Sequence, residues 1–354
     1  MTSRFAPAAD VEVGNSPTVK MRSGHARRSK RQLGNSFPVG AAVSFAFVFL
    51  VFVLVGMLRA SRHDGPIVPK TLGGNPMERV NTGQPNLFTY SIVAEFDHDA
   101  TAFTQGLEVL RGQVPVSTST PGTPTFIEST GLRGQSTVRE VNISTGEVLR
   151  STRMVDQDFG EGITRLGSKL YQVTWQGPKM IAYSVEDFSD TTTMSTHLAD
   201  GWGITNDGSN LIVGDSTSSM YYIDPKTTNT IKRIEVTDDG RPIRWLNELE
   251  WVDGLIYANI WQKECIAQIE PTTGNVVGWV DLSGLTDQVK MHSPGAPVDV
   301  LNGIAYDEVD GKLYVTGKLW PKLYEIQLRP LYVDSKKTNV DEMTADIRRR
   351  CIVS

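Results

Sequence analysis

Histidine is scarce in this chain, at five residues, and no HExxH, GxSxG, P-loop or dinucleotide-binding pattern is present. Cys265 has no evident histidine to activate it. An acid/base group must therefore be a carboxylate. Glu128, in TFIESTG (Thr125–Gly131), lies on an apolar, strand-like run just before a glycine. Partial desolvation there would raise its pKa toward the range useful for proton transfer. The competing reading is a strand-end glutamate paired with Arg133 or Arg139.

A second set of candidates comes from repetition. One pattern recurs: an acidic or small residue, glycine or a substitute, an apolar pair, a glycine turn and a β-rich run ending near tryptophan. The copies are FTQGLEVLRG from Phe103, EGITRLGSKLYQVTW from Glu161, WGITNDGSNLIVGD from Trp202, NELEWVDGLIYANIW from Asn247 and NGIAYDEVDGKLYVTGKLW from Asn302. Phe103, Gln105, Glu161, Trp202, Asn247, Glu248 and Asn302 stand at the starts of the copies, and Trp175, Trp261 and Lys318 at their far ends. Asn, Gln and Glu are costly to bury unpaired, and an indole N–H wants a partner. Taken singly, each is better read as a wedge between sheets or a turn cap. Their recurrence at equivalent ends favours a shared site, although the sequence does not show which ends meet.

The elements that position these residues are hairpins. Asn206-Asp207-Gly208 and Val252-Asp253-Gly254 separate apolar runs within copies. Between copies lie alternating segments such as VREVNISTGEVLRS, MYYIDPKTTNTIKRIEV and IAQIEPTTGNVVGWVDL. Two hairpins make a four-stranded unit of roughly 40–55 residues, the period of a propeller blade. The expectation is an all-β, five-bladed β-propeller over residues 88–354. Its opening strand, FTYSIVAEF from Phe88, would close the ring against KLYEIQL from Lys322.

The chain has 354 residues, a formal net charge of -5 and a pI near 5.6, which gives no footprint for nucleic acid. Val39–Leu58 is almost wholly apolar, and about 20 such residues span a ~30 Å hydrocarbon layer. Lys20, Arg22, Arg27, Arg28, Lys30 and Arg31 precede it, whereas only Arg59 and Arg62 follow closely. The positive-inside rule predicts a cytosolic tail (1–38), a type II transmembrane signal anchor (39–58), a stem (59–87) and a lumenal domain. Asn142-Ile-Ser144 would then be a glycosylation acceptor. Two cysteines, Cys265 and Cys351, are too few for a disulfide framework, but an oxidising compartment favours one bridge tying the C-terminal tail to the domain.

FTQGL (Phe103–Leu107), FIESTGLRG (Phe126–Gly134), FGEGIT (Phe159–Thr164), DGWGI (Asp200–Ile204), LNELEW (Leu246–Trp251), ANIWQ (Ala258–Gln262), DVLNGIAYD (Asp299–Asp307) and VTGKLWPKLYEI (Val315–Ile326) resemble, in order, the plant and bacterial type of glutaminyl-peptide cyclotransferase. The resemblance runs from about Tyr90 to Pro330. It implies a five-bladed propeller that converts N-terminal glutamine to pyroglutamate with release of ammonia. It further implies Glu128 as proton-transfer group, Lys318 and Asn247 as oxyanion stabilisers, Gln105 and Trp202 as ligands of the γ-amide, and Phe103, Phe126, Trp175 and Trp261 as apolar walls. No catalytic metal is implied, while a structural cation in the channel is compatible with the sequence. The expected partners are peptides or proteins with N-terminal glutamine and the membrane holding the anchor. The expected chain is a monomer of the Golgi or endoplasmic reticulum. Arg111–Thr125 departs from the pattern as a Pro-, Ser- and Thr-rich insertion.

Two rivals remain at this stage. A non-catalytic lumenal propeller binding peptides or glycans would need the tryptophans but not Glu128, Lys318 and Asn247 together. A metal-dependent lactonase-like propeller would use Glu161, Asn247 and Asn302 around a cation.

Overall fold

The computed structural model describes residues 84–112, 123–189, 191–331 and 340–352, all within one unit, Asn75–Ser354. The basic tail, the apolar segment 39–58 and the stem up to residue 83 lie outside the described residues. Among the described residues, no helix is long and apolar enough to cross a membrane.

Strand β1 (Asn86–Asp97) is followed by antiparallel meanders. The first comprises β2 (Thr104–Leu110), β3 (Thr125–Thr130), β4 (Thr137–Asn142) and β5 (Val148–Arg153). The second comprises β6 (Gly160–Leu166), β7 (Lys169–Thr174), β8 (Lys179–Ser184) and β9 (Thr192–Ser195). The third comprises β10 (Ile204–Asn206), β11 (Leu211–Gly214), β12 (Ser219–Ile223) and β13 (Thr230–Glu235). A two-stranded ribbon, β14 (Thr237–Asp238) and β15 (Arg241–Pro242), leads to β16 (Leu246–Val252), β17 (Leu255–Ile260), β18 (Cys265–Ile269) and β19 (Val276–Asp281). Helix α1 (Leu285–His292) precedes β20 (Leu301–Asp307), β21 (Lys312–Gly317) and β22 (Lys322–Pro330), and α2 (Val340–Cys351) closes the described chain.

The all-β expectation holds for the sheets, but the expectation of five separate four-stranded blades is corrected; the expected transmembrane helix lies outside the described residues. The structure has three four-stranded sheets and one eight-stranded sheet, ordered β16-β17-β18-β19-β1-β22-β21-β20. The cause is the length of β1. It runs antiparallel to β22 from Phe88↔Pro330 to Asp97↔Lys322, while its first residues, Asn86–Phe88, pair in parallel with Gly278–Val280 of β19. One strand thus serves two meanders and fuses them.

Local chemistry explains the hairpins. Asp253 and Gly254 both have positive φ (46° and 82°), the combination that turns β16 into β17 with the twist of paired strands. The first strands of successive meanders approach backbone to backbone. A Cβ on Gly203 would lie 2.0 Å from the carbonyl oxygen of Asn247, so only glycine fits. Between the sheets lie apolar layers that include the fully buried Trp279 and Trp320.

Candidate active site

Four first strands carry a register irregularity at their beginning: Thr104/Gly106 in β2, Gly160/Ile163 in β6, Leu246/Leu249 in β16 and Leu301/Ile304 in β20. A bulge re-aims the side chains it contains. The residues within these four are Gln105, Glu161, Asn247 with Glu248, and Asn302, each with at most 4% of its surface exposed. The polar candidates at the starts of the repeats are therefore grouped by one recurring backbone device.

The start of each first strand also meets the end of its second strand. Gly131 donates its backbone N–H to Phe103, Trp175 to Phe159, Trp261 to Trp245 and Lys318 to Val300, at 2.8–3.1 Å, and Trp202 donates to Gly214. These bonds answer what the sequence left open. Phe103, Trp175, Trp202, Trp261 and Lys318 share one end of the sheets with the polar set.

The aromatic wall has two parts. Phe103 meets Phe159 edge-on at 6.1 Å, and Phe159 meets Trp175 at 5.3 Å. Lys318 Nζ stands 4.9 Å over the Phe103 ring. The second part is a box of Trp202, Trp245 and Trp261, with ring centroids 5.4–5.8 Å apart. Phe159 and Trp245 were missed as site residues. A signal existed for Phe159, since FGEGI repeats the aromatic-x-polar-Gly order of FTQGL.

Between these parts runs a polar line. Gln105 Nε2 donates to Glu161 Oε1 at 3.0 Å, and Asn302 Nδ2 donates to Gln105 Oε1 at 3.2 Å and to the Thr104 carbonyl at 2.9 Å. Glu161 Oε2, Asn247 Nδ2 and Asn302 Oδ1 are among the buried atoms with no hydrogen-bond partner. Burial pushes the Glu161 carboxyl well above its ordinary value; the charge of Lys318 opposes the rise and that of Asp200 adds to it. Burial likewise lowers the Lys318 ammonium, against the pull of Glu161 and Asp299. A carboxyl raised by burial, a cation and an unpartnered amide donor thus occur at the same end of the sheets.

Two expected site residues, Phe126 and Glu128, lie apart from this aromatic end. Phe126 lies at the end of β3 away from Gly131, packed edge-on against Tyr314 at 5.2 Å in a core layer. Glu128 is fully buried in mid-strand. Its Oε1 accepts from Thr104 Oγ1 at 2.7 Å and from His98 Nε2 at 3.0 Å, and its Oε2 accepts from Arg139 Nε at 2.9 Å. Burial alone would raise its carboxyl. The charges of Arg139 and His98 outweigh that and hold it far below the usual range. His98 Nδ1 donates to the Trp320 carbonyl at 2.6 Å, so both ring nitrogens donate and the ring carries a charge. The competing reading, a glutamate paired with Arg139, describes this geometry.

The opposite ends of the first strands border a cavity of about 520 Å³ lined by Glu108, Arg165, Glu250, Trp251 and Asp307 among others. Its carboxylates act as staples. Glu108 accepts from the backbone N–H of Arg165 and Glu250 from that of Tyr306, both at 2.8 Å. This end lacks the unpartnered polar atoms and the aromatic wall of the other. Among the described residues no group of three His, Cys, Asp or Glu side chains is arranged to hold a metal ion. Away from the site, Asn142 caps an exposed turn through Oδ1, and Cys265 is bridged to Cys351.

A family model described as glutamine cyclotransferase matches residues 70–328. The chain belongs to the glutamine cyclotransferase family. As a member of that family it is an enzyme. The glutaminyl-peptide cyclotransferase of Arabidopsis thaliana is 43% identical over 238 residues, covering 67% of this chain and 71% of the relative. The crystal structure of Myxococcus xanthus glutaminyl cyclase aligns with a TM-score of 0.61 at 32% identity, covering 70% of this chain and 100% of that one.

Proposed function

We propose that this cyclotransferase closes N-terminal glutaminyl residues of peptides and proteins to pyroglutamate, releasing ammonia, at the aromatic end of the sheets. The α-amine nitrogen attacks the γ-carboxamide carbon, an oxyanion forms, and the bond from that carbon to the amide nitrogen breaks. The nucleophile belongs to the substrate, so the enzyme must hold the chain bent, move one proton and stabilise one negative charge. Phe103, Phe159, Trp175, Trp202, Trp245 and Trp261 shape the holder and exclude water. Lys318 and the free Nδ2 of Asn247 stabilise the oxyanion. Gln105 and Asn302 fix Glu161 and read the γ-amide.

Glu161, rather than Glu128, takes the proton from the attacking amine and gives it to the departing nitrogen. The observation that carries this reading is the buried, unpartnered Oε2 of Glu161 beside Lys318 and Gln105. Glu128 has no free lone pair facing this end and is neutralised by two cations. Its part is to hold His98, Thr104 and Arg139 in place beneath Gln105.

The test is incubation of the chain with a glutamine-initiated dipeptide, following free ammonia and the loss of one ammonia from the peptide mass. The expected result is stoichiometric release, with none from the N-acetylated dipeptide. Absence of release by the folded wild type would overturn the reading in favour of a peptide-binding role.

A further inference from the structure

Asp200 lies between the two parts of the aromatic wall. Its Oδ1 accepts the backbone N–H of Gln176, next to Trp175, at 2.6 Å, and its Oδ2 accepts the indole N–H of Trp202 at 3.0 Å. Two neutral donors fix its position without cancelling its charge. Among the described residues no Lys, Arg or His forms an ion pair with it. It is partly exposed, so it is reachable from solvent at this end. Its field extends to Glu161, as does that of Lys318.

The site is therefore polarised. Lys318 stands on the Phe103 side, Asp200 on the tryptophan side, and Glu161 feels both. A peptide N-terminus titrates at about 7.7–8.0, so most of it arrives at neutral pH as an ammonium. Lys318 repels that group. Asp200 attracts it, while Arg133, which lies over the Trp175 ring at 5.5 Å, is the nearby cation on that side. We propose that Asp200 receives the α-ammonium of the substrate and so sets the direction in which glutamine enters, amine toward the tryptophan box and γ-carbonyl toward Lys318. The inference rests on the cyclotransferase reading and adds a recognition residue to it. Asp200 takes no proton; the ammonium releases one proton to solvent before attack, and Glu161 takes the second as the neutral amine attacks.

The test uses the full-length chain and two readouts. In the ammonia-release assay, Asp200→Asn removes the charge and keeps one of the two acceptor oxygens, and Asp200→Ser, which removes both charge and reach, gives the comparison. KM should rise about tenfold, the scale of losing one charged partner at a partly exposed site, while kcat changes less. Asp200→Glu should recover most of the loss. The acidic limb of kcat/KM should also move to lower pH in Asp200→Asn, because the negative neighbour that helps raise Glu161 is gone. The second readout needs no turnover. Tryptophan fluorescence would follow binding of a glutamine-free dipeptide amide with a free N-terminus and of its N-acetylated form. Wild type should prefer the free amine about tenfold, and Asp200→Asn should lose the preference. Unchanged KM in Asp200→Asn, or a wild type indifferent to acetylation, would overturn the inference. Lack of ammonia release together with an Asp200-dependent amine preference would overturn the reaction reading and leave the ammonium site standing.

Discussion

Glu128 and Glu161 occupy the same Phe-x-Glu spacing, and their surroundings give them opposite properties. Glu128 is ionised among Arg139, His98 and Thr104; Glu161 is buried with one oxygen unpaired. Removing the charge at Glu128 leaves His98 without its carboxylate and Arg139 with Asp99 alone, so Glu128→Gln should lower stability by ~3 kcal/mol, read from denaturant unfolding. Its folded pKa is depressed, so its stabilisation is present above the unfolded value of about 4.3 and is lost as pH falls below it. The variant should therefore show a shallower loss of stability between neutral pH and pH 3 than wild type. Glu161 has the reverse sign. As a base it works ionised, and its raised pKa predicts an acidic limb of kcat/KM above the ordinary carboxylate range. A limb at about 4.3 would mean that Glu161 is not the group observed.

At the level of strands, what was legible and what was not have separate physical causes. Hairpins and meanders followed from alternation and from Gly-containing turns, which are local signals, whereas the meeting of Trp175, Trp261 and Lys318 with the strand starts rests on backbone bonds that the sequence does not show. Glu128 attracted the acid/base role because an apolar strand suggests desolvation; sequence could not show that Arg139 and His98 reach it from β4 and from the segment after β1. The repeated polar-Gly-apolar triplet (Gln105-Gly106-Leu107, Glu161-Gly162-Ile163, Asn302-Gly303-Ile304) was the better signal, because it marks the bulges that turn side chains inward. Gly203→Ala should disrupt this arrangement, since no side-chain motion relieves a Cβ at 2.0 Å from a backbone oxygen; loss of the cooperative unfolding transition would show it. At the other ends of the strands, burial raises Glu250 well above its ordinary value. The folded state then keeps a proton the unfolded chain has released, so stability falls as pH climbs from about 4.3 toward the folded value. Glu250→Gln should remove part of that decline.

The whole molecule is less modular than five equal repeats suggest. Repeat length fixes where meanders begin, but fusion of the last two depends on β1 being long enough to reach β19, a contact between distant segments that periodicity does not encode. The same region holds the C-terminal helix. Cys351 is bridged to Cys265 across 86 residues, and Arg348 makes a two-pronged pair with Asp238, which also accepts the indole N–H of Trp279. A loop of that length corresponds to about 4–5 kcal/mol in the chain-entropy treatment, so Cys351→Ser should lower the unfolding midpoint substantially. Because the helix packs on β18 and β19, the outer strands of this meander, rather than on the bulged β16, KM of the folded variant should stay within about twofold of wild type.

The central claim is that Glu161 moves the proton at the aromatic end. The most direct measurement is ammonia release from a glutamine-initiated dipeptide by wild type, Glu161→Gln and Glu128→Gln side by side, with folding checked by thermal melting. The account predicts a wild type that turns over and a folded Glu161→Gln that binds the dipeptide but is slower by about 10²–10⁴-fold. It also predicts that Glu128→Gln melts early yet keeps activity in proportion to its folded fraction. A folded Glu161→Gln with wild-type turnover, beside a folded and inactive Glu128→Gln, would contradict it.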